Sequence, residues 1–332
     1  MLSRHARLLP AAFMAALSLA AQDRLPTVST FSIVGYDPAT HEWGVAVASR
    51  YFSVGSVVPW AEAGVGAVAT QANVNVGYGP RAIELLKQGL TSKQVIEKLL
   101  ADDTFDGKDG RQIGIIDSKG NVAGYTGPKA PNWAGDVQGA NWTAQGNILV
   151  GAEVPKAMGR AFEATRGDLA EKLYAALKAG DDAGGDSRGR QSASMLVVGK
   201  GLGRNFNNDR PIYLNVDDNP TPLVELRRLL DLNQAALYQD RTFKLLTEGK
   251  FPQAREAGEK MVLYIPNQSG PLVTLGMLRY AAGDKSSALE AFHKAAQLNP
   301  DFRKQFDTAA RRPPFKPILD DKEFLDKLFP AK

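Results

Sequence analysis

Hydrophobic and polar positions alternate over residues 30–36, where Thr30, Ser32, Val34 and Tyr36 interleave with Phe31, Ile33 and Gly35. That two-residue period predicts a β-strand. Asp37, Pro38 and Thr40 supply turn residues, and the run GVAVAS at 44–49 predicts a return strand. A third run, GVGAVAT at 64–70, is so rich in small residues that something must pack close to its backbone. The pattern then lengthens to a helical period. Pro80 stands at a helix start followed by Ile83, Leu85, Leu86 and Leu90, with Gly89 as a stop. Thr91 is placed to cap a second helix carrying Val95, Ile96, Leu99 and Leu100.

Residues 112–117 and 121–126 flank Ser118-Lys119-Gly120 as a hairpin. Residues 127–147, with Trp133, Trp142 and several Gly and Asn, read as a long surface loop with aromatic walls, and 148–150 as a short strand. Helices are predicted at about 154–165 and 168–179, the second capped by Asp168, then strands at 192–198 and 212–216, then a helix at 223–232. Strands in runs separated by paired helices fit a layered α+β domain over residues 30–232 better than alternating βαβ units. From about residue 235 the pattern is wholly helical. Gly249, Ala254 and Pro266 recur 34 residues later as Gly283, Ala288 and Pro300, beside Leu275-Gly276, Phe292 and Ala295. That spacing is tetratricopeptide-like, and two repeats are too few to bury a core unaided, so the region 235–332 is expected to dock on the first domain.

Composition narrows the chemistry. The chain has 332 residues, no cysteine, three histidines and a formal charge of +4. So small a charge, with no basic block interleaved with aromatics, argues against a nucleic-acid partner. Thiol nucleophiles and His/Cys zinc sites are excluded, and a Ser-His-Asp triad would need His41 from a predicted turn. Paired acids Asp181-Asp182 and Asp217-Asp218 read as solvated or capping groups, so neither a metal nor another cofactor is expected. Arg4, His5 and Arg7 precede an apolar run from Leu8 to Leu19, with Ser18-Leu19-Ala20 as a small-residue cleavage site. Residues 1–21 therefore read as a signal peptide, the protein as exported to periplasm or medium, and the mature chain as free of a transmembrane segment.

The stretches TFSIVGYDP, WGVAVASRYFSVGSVVPWAEAGVGAVATQA, GYGPRAIELL, GRQIGIID, AQGNILVG, GGDSRGRQSASMLVV and VDDNPTPLVELRRLL, about 200 residues in all, resemble the domain of unknown function 1028 family, grouped with the N-terminal-nucleophile (Ntn) hydrolases. The resemblance implies a four-layer αββα sandwich and no particular substrate. Against the family's pattern, Cys is missing near Ala130-Pro131 and Asp136 stands where a His is common.

In that superfamily the residue opening the first strand is the nucleophile, which here corresponds to Thr30. Its hydroxyl is inert at neutral pH without a base. A free α-amine, with a pKa of roughly 7.7–8.0, would serve. Exposing it requires cleavage at Ser29-Thr30, since signal cleavage after Ala20 leaves about nine residues ahead. Otherwise Thr30 is an ordinary strand residue. Residues 46–50 resemble the second strand of proteasome-like enzymes, except that Ala48 replaces their Asp. Arg50 suits either a substrate carboxylate or a structural ion pair. Gln71, Asn73 and Asn75 suit either an oxyanion site or turn chemistry. Asp186, Arg188 and Ser192 lie where a loop enters a strand, either as substrate contacts or as solvated loop residues. Two readings follow: an amidohydrolase acting on a small amide or peptide-like substrate, or a non-catalytic envelope scaffold whose helical repeats bind a protein partner.

Overall fold

Strand β1 (Thr30–Asp37) is the centre of a six-stranded antiparallel sheet in the computed structural model, which describes residues 30–330. The leader read at residues 1–21 lies outside the described residues. β1 pairs with β2 (Glu42–Ser49) on one side and β8 (Trp142–Leu149) on the other. β9 (Ser192–Val198) and β10 (Ile212–Val216) extend the sheet beyond β2, and β7 (Trp133–Gly139) closes the far edge. The second sheet runs β3 (Pro59–Glu62), β4 (Gly66–Ala72), β5 (Arg111–Asp117), β6 (Val122–Thr126).

The alternation of β1 sorts its side chains between two interiors. Val34 and Tyr36 pack between the sheets with Trp43, Val45, Val47, Ala67, Ala69 and Ile116. Phe31 and Ile33 face helices α3 (Glu153–Ala164), α4 (Leu169–Asp182) and the start of α5 (Pro222–Thr247). On the outer face of the four-stranded sheet, Val68, Ile113 and Ile115 meet the apolar sides of α1 (Tyr78–Lys87) and α2 (Ser92–Asp102). The small residues of β4 allow this double packing, and Gly66 sits at φ +150° against the Ile116 carbonyl. Thr91 caps α2 through a reciprocal capping box with Gln94.

Three features depart from the sequence reading. The stretch 127–147, expected as a surface loop, forms the β7–β8 hairpin. Its polar residues Thr143, Gln145 and Asn147 are buried between the sheets while Trp142 and Ala144 face the helices, so the polar half of its alternation does not mark solvent. Asp168 does not cap α4: its carboxylate accepts a hydrogen bond from the Tyr238 hydroxyl at 2.6 Å. The helix expected at 223–232 continues to Thr247, so the suggested boundary near 232–235 falls inside α5.

Beyond α5 the chain is all helical: α6 (Phe251–Tyr264), α7 (Ser269–Ala281), α8 (Lys285–Leu298), α9 (Phe302–Ala310) and α10 (Lys322–Leu328). The 34-residue spacing has a structural counterpart. Ala254 and Ala288 are both fully buried in one cluster around Phe292, and Gly249 and Gly283 both turn the chain at positive φ. This region joins the first through α5, whose Ala235 and Tyr238 pack on Ala257 and Met261 of α6. Among the described residues no helix is long and apolar enough to cross a membrane.

Candidate functional site

The inward face of the large sheet changes character along its length. At the Tyr36 end it is apolar; at the Thr30 end it is polar. Register places Asn147, Thr30, Ser49 and Ser192 side by side across β8, β1, β2 and β9, all fully or almost fully buried. Thr30 Oγ1 lies 3.2 Å from Ser49 Oγ. One step along, the Ser32 hydroxyl donates to Gln71 Oε1 at 2.6 Å and accepts from Gln145 Nε2 at 2.6 Å. Gln71 Nε2 reaches the Thr30 carbonyl at 3.4 Å and Gln112 Oε1 at 2.8 Å. Gln112 in turn donates to Gly146 O, Thr126 Oγ1 and Gly135 O at 2.8, 3.0 and 3.2 Å, and its Oε1 accepts from Asn147 Nδ2 at 3.0 Å. Polar side chains in so dry an interior are tolerable because each of these is hydrogen-bonded at least once.

A loop crosses the strand ends beside Thr30. Asp186, almost fully buried, bridges to Leu149, and its carboxylate accepts from the Arg50 amide at 2.8 Å, the Arg188 amide at 2.8 Å and the Arg188 guanidinium at 3.1 Å. Arg188 also donates to the Arg50 carbonyl at 3.1 Å, and the Arg50 guanidinium donates back to the Arg188 carbonyl. Among the described residues Arg50 makes no ion pair with a carboxylate, and it is exposed. A cavity of about 340 Å³ opens here, lined by Phe31, Ala48, Ser49, Asp186, Arg188 and Arg190 among others. The Arg190 guanidinium is bound to Asp181 at 2.6 Å, which pushes its pKa up further, so its charge is fixed at any working pH.

The structure thus gathers Thr30, Arg50, Gln71, Asp186, Arg188 and Ser192 at one end of the molecule, Ser192 through its hydrogen bonds with the Tyr51 carbonyl and the Val54 amide. Asn73 and Asn75 are not in that group. Asn73 Nδ2 donates to Gly107 O at 3.3 Å, and Asn75 Oδ1 accepts the Gly77 amide at 3.0 Å, which is turn chemistry. The Asn73 carbonyl is held by Arg111, a buried guanidinium that pairs with Asp103 at 3.0 Å and lies over the Phe105 ring. Sequence reasoning missed Ser49, Gln112, Gln145 and Asn147. The available signal was a polar residue at every second position of β8 and at the inward end of β2.

Backbone strain flanks the polar end. Ile148, a β-branched residue, holds φ +53° directly after Asn147, and Ala72 holds φ +66° directly after Gln71. Left-handed conformations cost non-glycine residues on the order of 1–3 kcal/mol and concentrate at functional sites.

Two facing sheets between helical layers, with a polar interior built around the first residue of the central strand, define a layered α/β protein carrying one enclosed polar site. The chain belongs to the family of unknown function DUF1028, which matches residues 30–226. The crystal structure of protein SPO2555 from Silicibacter pomeroyi, assigned to the same family, superimposes with a TM-score of 0.56 at 30% identity, covering 61% of this chain and 84% of that one. No curated protein matches the chain. Helices α6 to α10 lie beyond the matched family region.

Proposed function

We propose that the chain is an exported amide hydrolase of the Ntn type, an αββα sandwich in which Thr30 becomes the first residue of the active protein. The observation that carries this reading is the placement of Thr30 Oγ1 one hydrogen bond, 3.2 Å, from Ser49, a residue lining the 340 Å³ cavity. Thr30 is fully buried and its nitrogen is bonded to Ser29, so cleavage at Ser29-Thr30 is what frees the base. The hydroxyl would then add to the amide carbon and pass its proton to the α-amine. The amine would hand that proton to the departing nitrogen as the C–N bond breaks, leaving an ester on Thr30. Water, deprotonated by the same amine, would release the acid and regenerate the hydroxyl. The Gln71 side-chain amide, which reaches the Thr30 carbonyl at 3.4 Å, suits a donor to a developing oxyanion. Arg50, without a carboxylate partner among the described residues, suits an acidic group on the substrate.

The test is intact mass of the protein purified from its native compartment, followed by an amide-substrate screen against Thr30→Ala. A mature chain beginning at Thr30 and activity lost on substitution support the hydrolase. A chain that begins upstream of Thr30 and turns over no amide overturns it. The full burial of Thr30 favours a second reading in that event: a non-catalytic envelope scaffold, with the tetratricopeptide-like helices recruiting a protein partner.

A further inference from the structure

A second cavity, of about 270 Å³, lies at the opposite end of the large sheet, where Asp37 pairs with Glu42 rather than Thr30 with Ser49. Seven residue steps along β1, from Thr30 to Asp37, separate the two ends, about 23 Å at the usual rise. The cavity lies between the sheet and the middle of α5. Its walls include Glu42 from β2, Asp168 before α4, Leu202 and Phe206 from the β9–β10 connection, and Gln234, Leu237, Tyr238 and Arg241 from α5.

Two features mark it as more than a packing gap. Gln234 is only 4% exposed and lines the cavity, and among the described residues its side-chain amide makes no hydrogen bond. The other buried side-chain amides, Gln71, Gln112, Gln145 and Asn147, are each bonded to protein, whereas the Gln234 amide is answered only by what occupies the cavity. Second, Glu42 and Asp168 repel each other there. Burial pushes the Glu42 carboxyl up, and Asp168 and Asp37 push it further, against a hydrogen bond from Thr40 and the charge of Arg241. Asp168 is satisfied on one oxygen by Tyr238. Asp240, the third acid, is already bound to Arg204 at 2.7 Å. Arg241 lies over the Tyr238 ring and makes no ion pair among the described residues.

The lining therefore offers two acids, an amide without a protein partner, a guanidinium without an ion pair among the described residues, and an apolar wall of Leu202, Phe206, Ile212 and Leu237. We propose that this cavity binds a zwitterionic dipeptide: its ammonium between Glu42 and Asp168, its peptide group on Gln234, its carboxylate on Arg241 and a side chain on the apolar wall. A volume just under the usual range for ligand sites, about 300–1,000 Å³, restricts the occupant to that size. A metal ion does not suit, because no group of three or more metal-ligating side chains occurs among the described residues. The proposal is independent of the Thr30 chemistry, since the two sites share no residue.

The experiment is titration calorimetry of the full chain with Ala-Leu, its N-acetylated form and its C-terminal amide, using wild type, Glu42→Gln, Gln234→Leu and Thr30→Ala, each checked for folding by circular dichroism. Saturable binding of Ala-Leu is expected in wild type and Thr30→Ala. Affinity should fall at least about tenfold on N-acetylation and in either cavity variant, the loss of one charged or amide contact. Absence of saturable binding by about 10 mM, affinity unchanged by acetylation or by both cavity variants, or loss of binding in Thr30→Ala, which would place the ligand at the other site, each overturns it.

Discussion

Thr30 Oγ1 and Ser49 Oγ lie 3.2 Å apart across the β1–β2 pair, at the only end of the inward sheet face where hydroxyls replace valines. Substitutions at this pair distinguish a catalytic hydroxyl from a structural one. If Thr30 attacks, Thr30→Ala abolishes amide turnover while Thr30→Ser keeps most of it, because Ser retains the oxygen. Ser49→Ala removes the neutral hydrogen bond to Thr30, worth about 1 kcal/mol, so kcat should fall roughly five- to tenfold. Steady-state rates with the best substrate of an amide screen measure both. Equal loss in Thr30→Ala and Thr30→Ser would assign the hydroxyl to structure.

The inter-sheet network predicts a stability effect of a different size. Gln112 joins both sheets through five hydrogen bonds, donating to Thr126, Gly135 and Gly146 and accepting from Gln71 and Asn147. Gln112→Leu matches its shape but withdraws every one of them in a dry interior. We expect a loss of about 3 kcal/mol, the cost of stranding one or two buried groups after local rearrangement. Urea unfolding should show it as a lower midpoint with an unchanged slope.

Much of the first 200 residues was legible in the chain: the β1–β2 hairpin, the α2 cap at Thr91 and the β5–β6 hairpin follow from local periodicity and turn residues. The site was less so. Thr143, Gln145 and Asn147 sit in a strand whose polar side is buried, and a rule that equates polar with exposed turns that strand into a loop. Asp168 has the spacing of a cap, yet its partner Tyr238 is 70 residues away on α5. Asn73 and Asn75 look like oxyanion donors in a glycine-rich stretch, but the chain uses them to shape the loop that Arg111 clamps. For Asp168 and Asn73 the deciding contact is distant in sequence and leaves no local pattern, whereas Asn75 makes an ordinary turn contact with Gly77.

That clamp gives the protein an acid limit. Burial alone would push the Asp103 carboxyl up, but hydrogen bonds from the Tyr78 hydroxyl, the Phe105 amide and Arg111, with the charge of Arg111, outweigh it and hold Asp103 below its ordinary value. A depressed carboxyl stabilises the fold fully above the ordinary carboxylate pKa of about 4, and the contribution is lost as pH falls through the lower folded value. Tyr78 is shifted the other way, pushed up by burial and by Asp103. Its contribution is present below about pH 10 and is lost as pH rises through the folded value. Unfolding midpoints measured across the acid range should therefore fall less steeply in Asp103→Asn than in wild type. Arg111→Met, which removes the guanidinium paired with the buried Asp103 carboxylate, should cost about 3 kcal/mol at neutral pH.

Two glycines of α7 test the helical region with opposite signs. Gly276 faces the cluster core, where an added Cβ would stand 2.5 Å from Cε1 of Phe292. That ring has no room to retreat: it is fully buried, edge-on to Phe306 at 5.2 Å and to Phe324 at 6.2 Å, and 6.1 Å from Phe302. Gly276→Ala gains about 1 kcal/mol of helix propensity and loses about 1–3 kcal/mol to overpacking, so the clash should win. Gly270, in the first turn of the same helix, is exposed and its Cβ would meet nothing within 4 Å. There the propensity gain stands unopposed, and Gly270→Ala should stabilise by about 0.5–1 kcal/mol. Thermal unfolding followed by far-ultraviolet circular dichroism reads both. If Gly276→Ala proved as harmless as Gly270→Ala, the close packing of α7 against α8 at Phe292, on which the whole helical region depends, would be wrong.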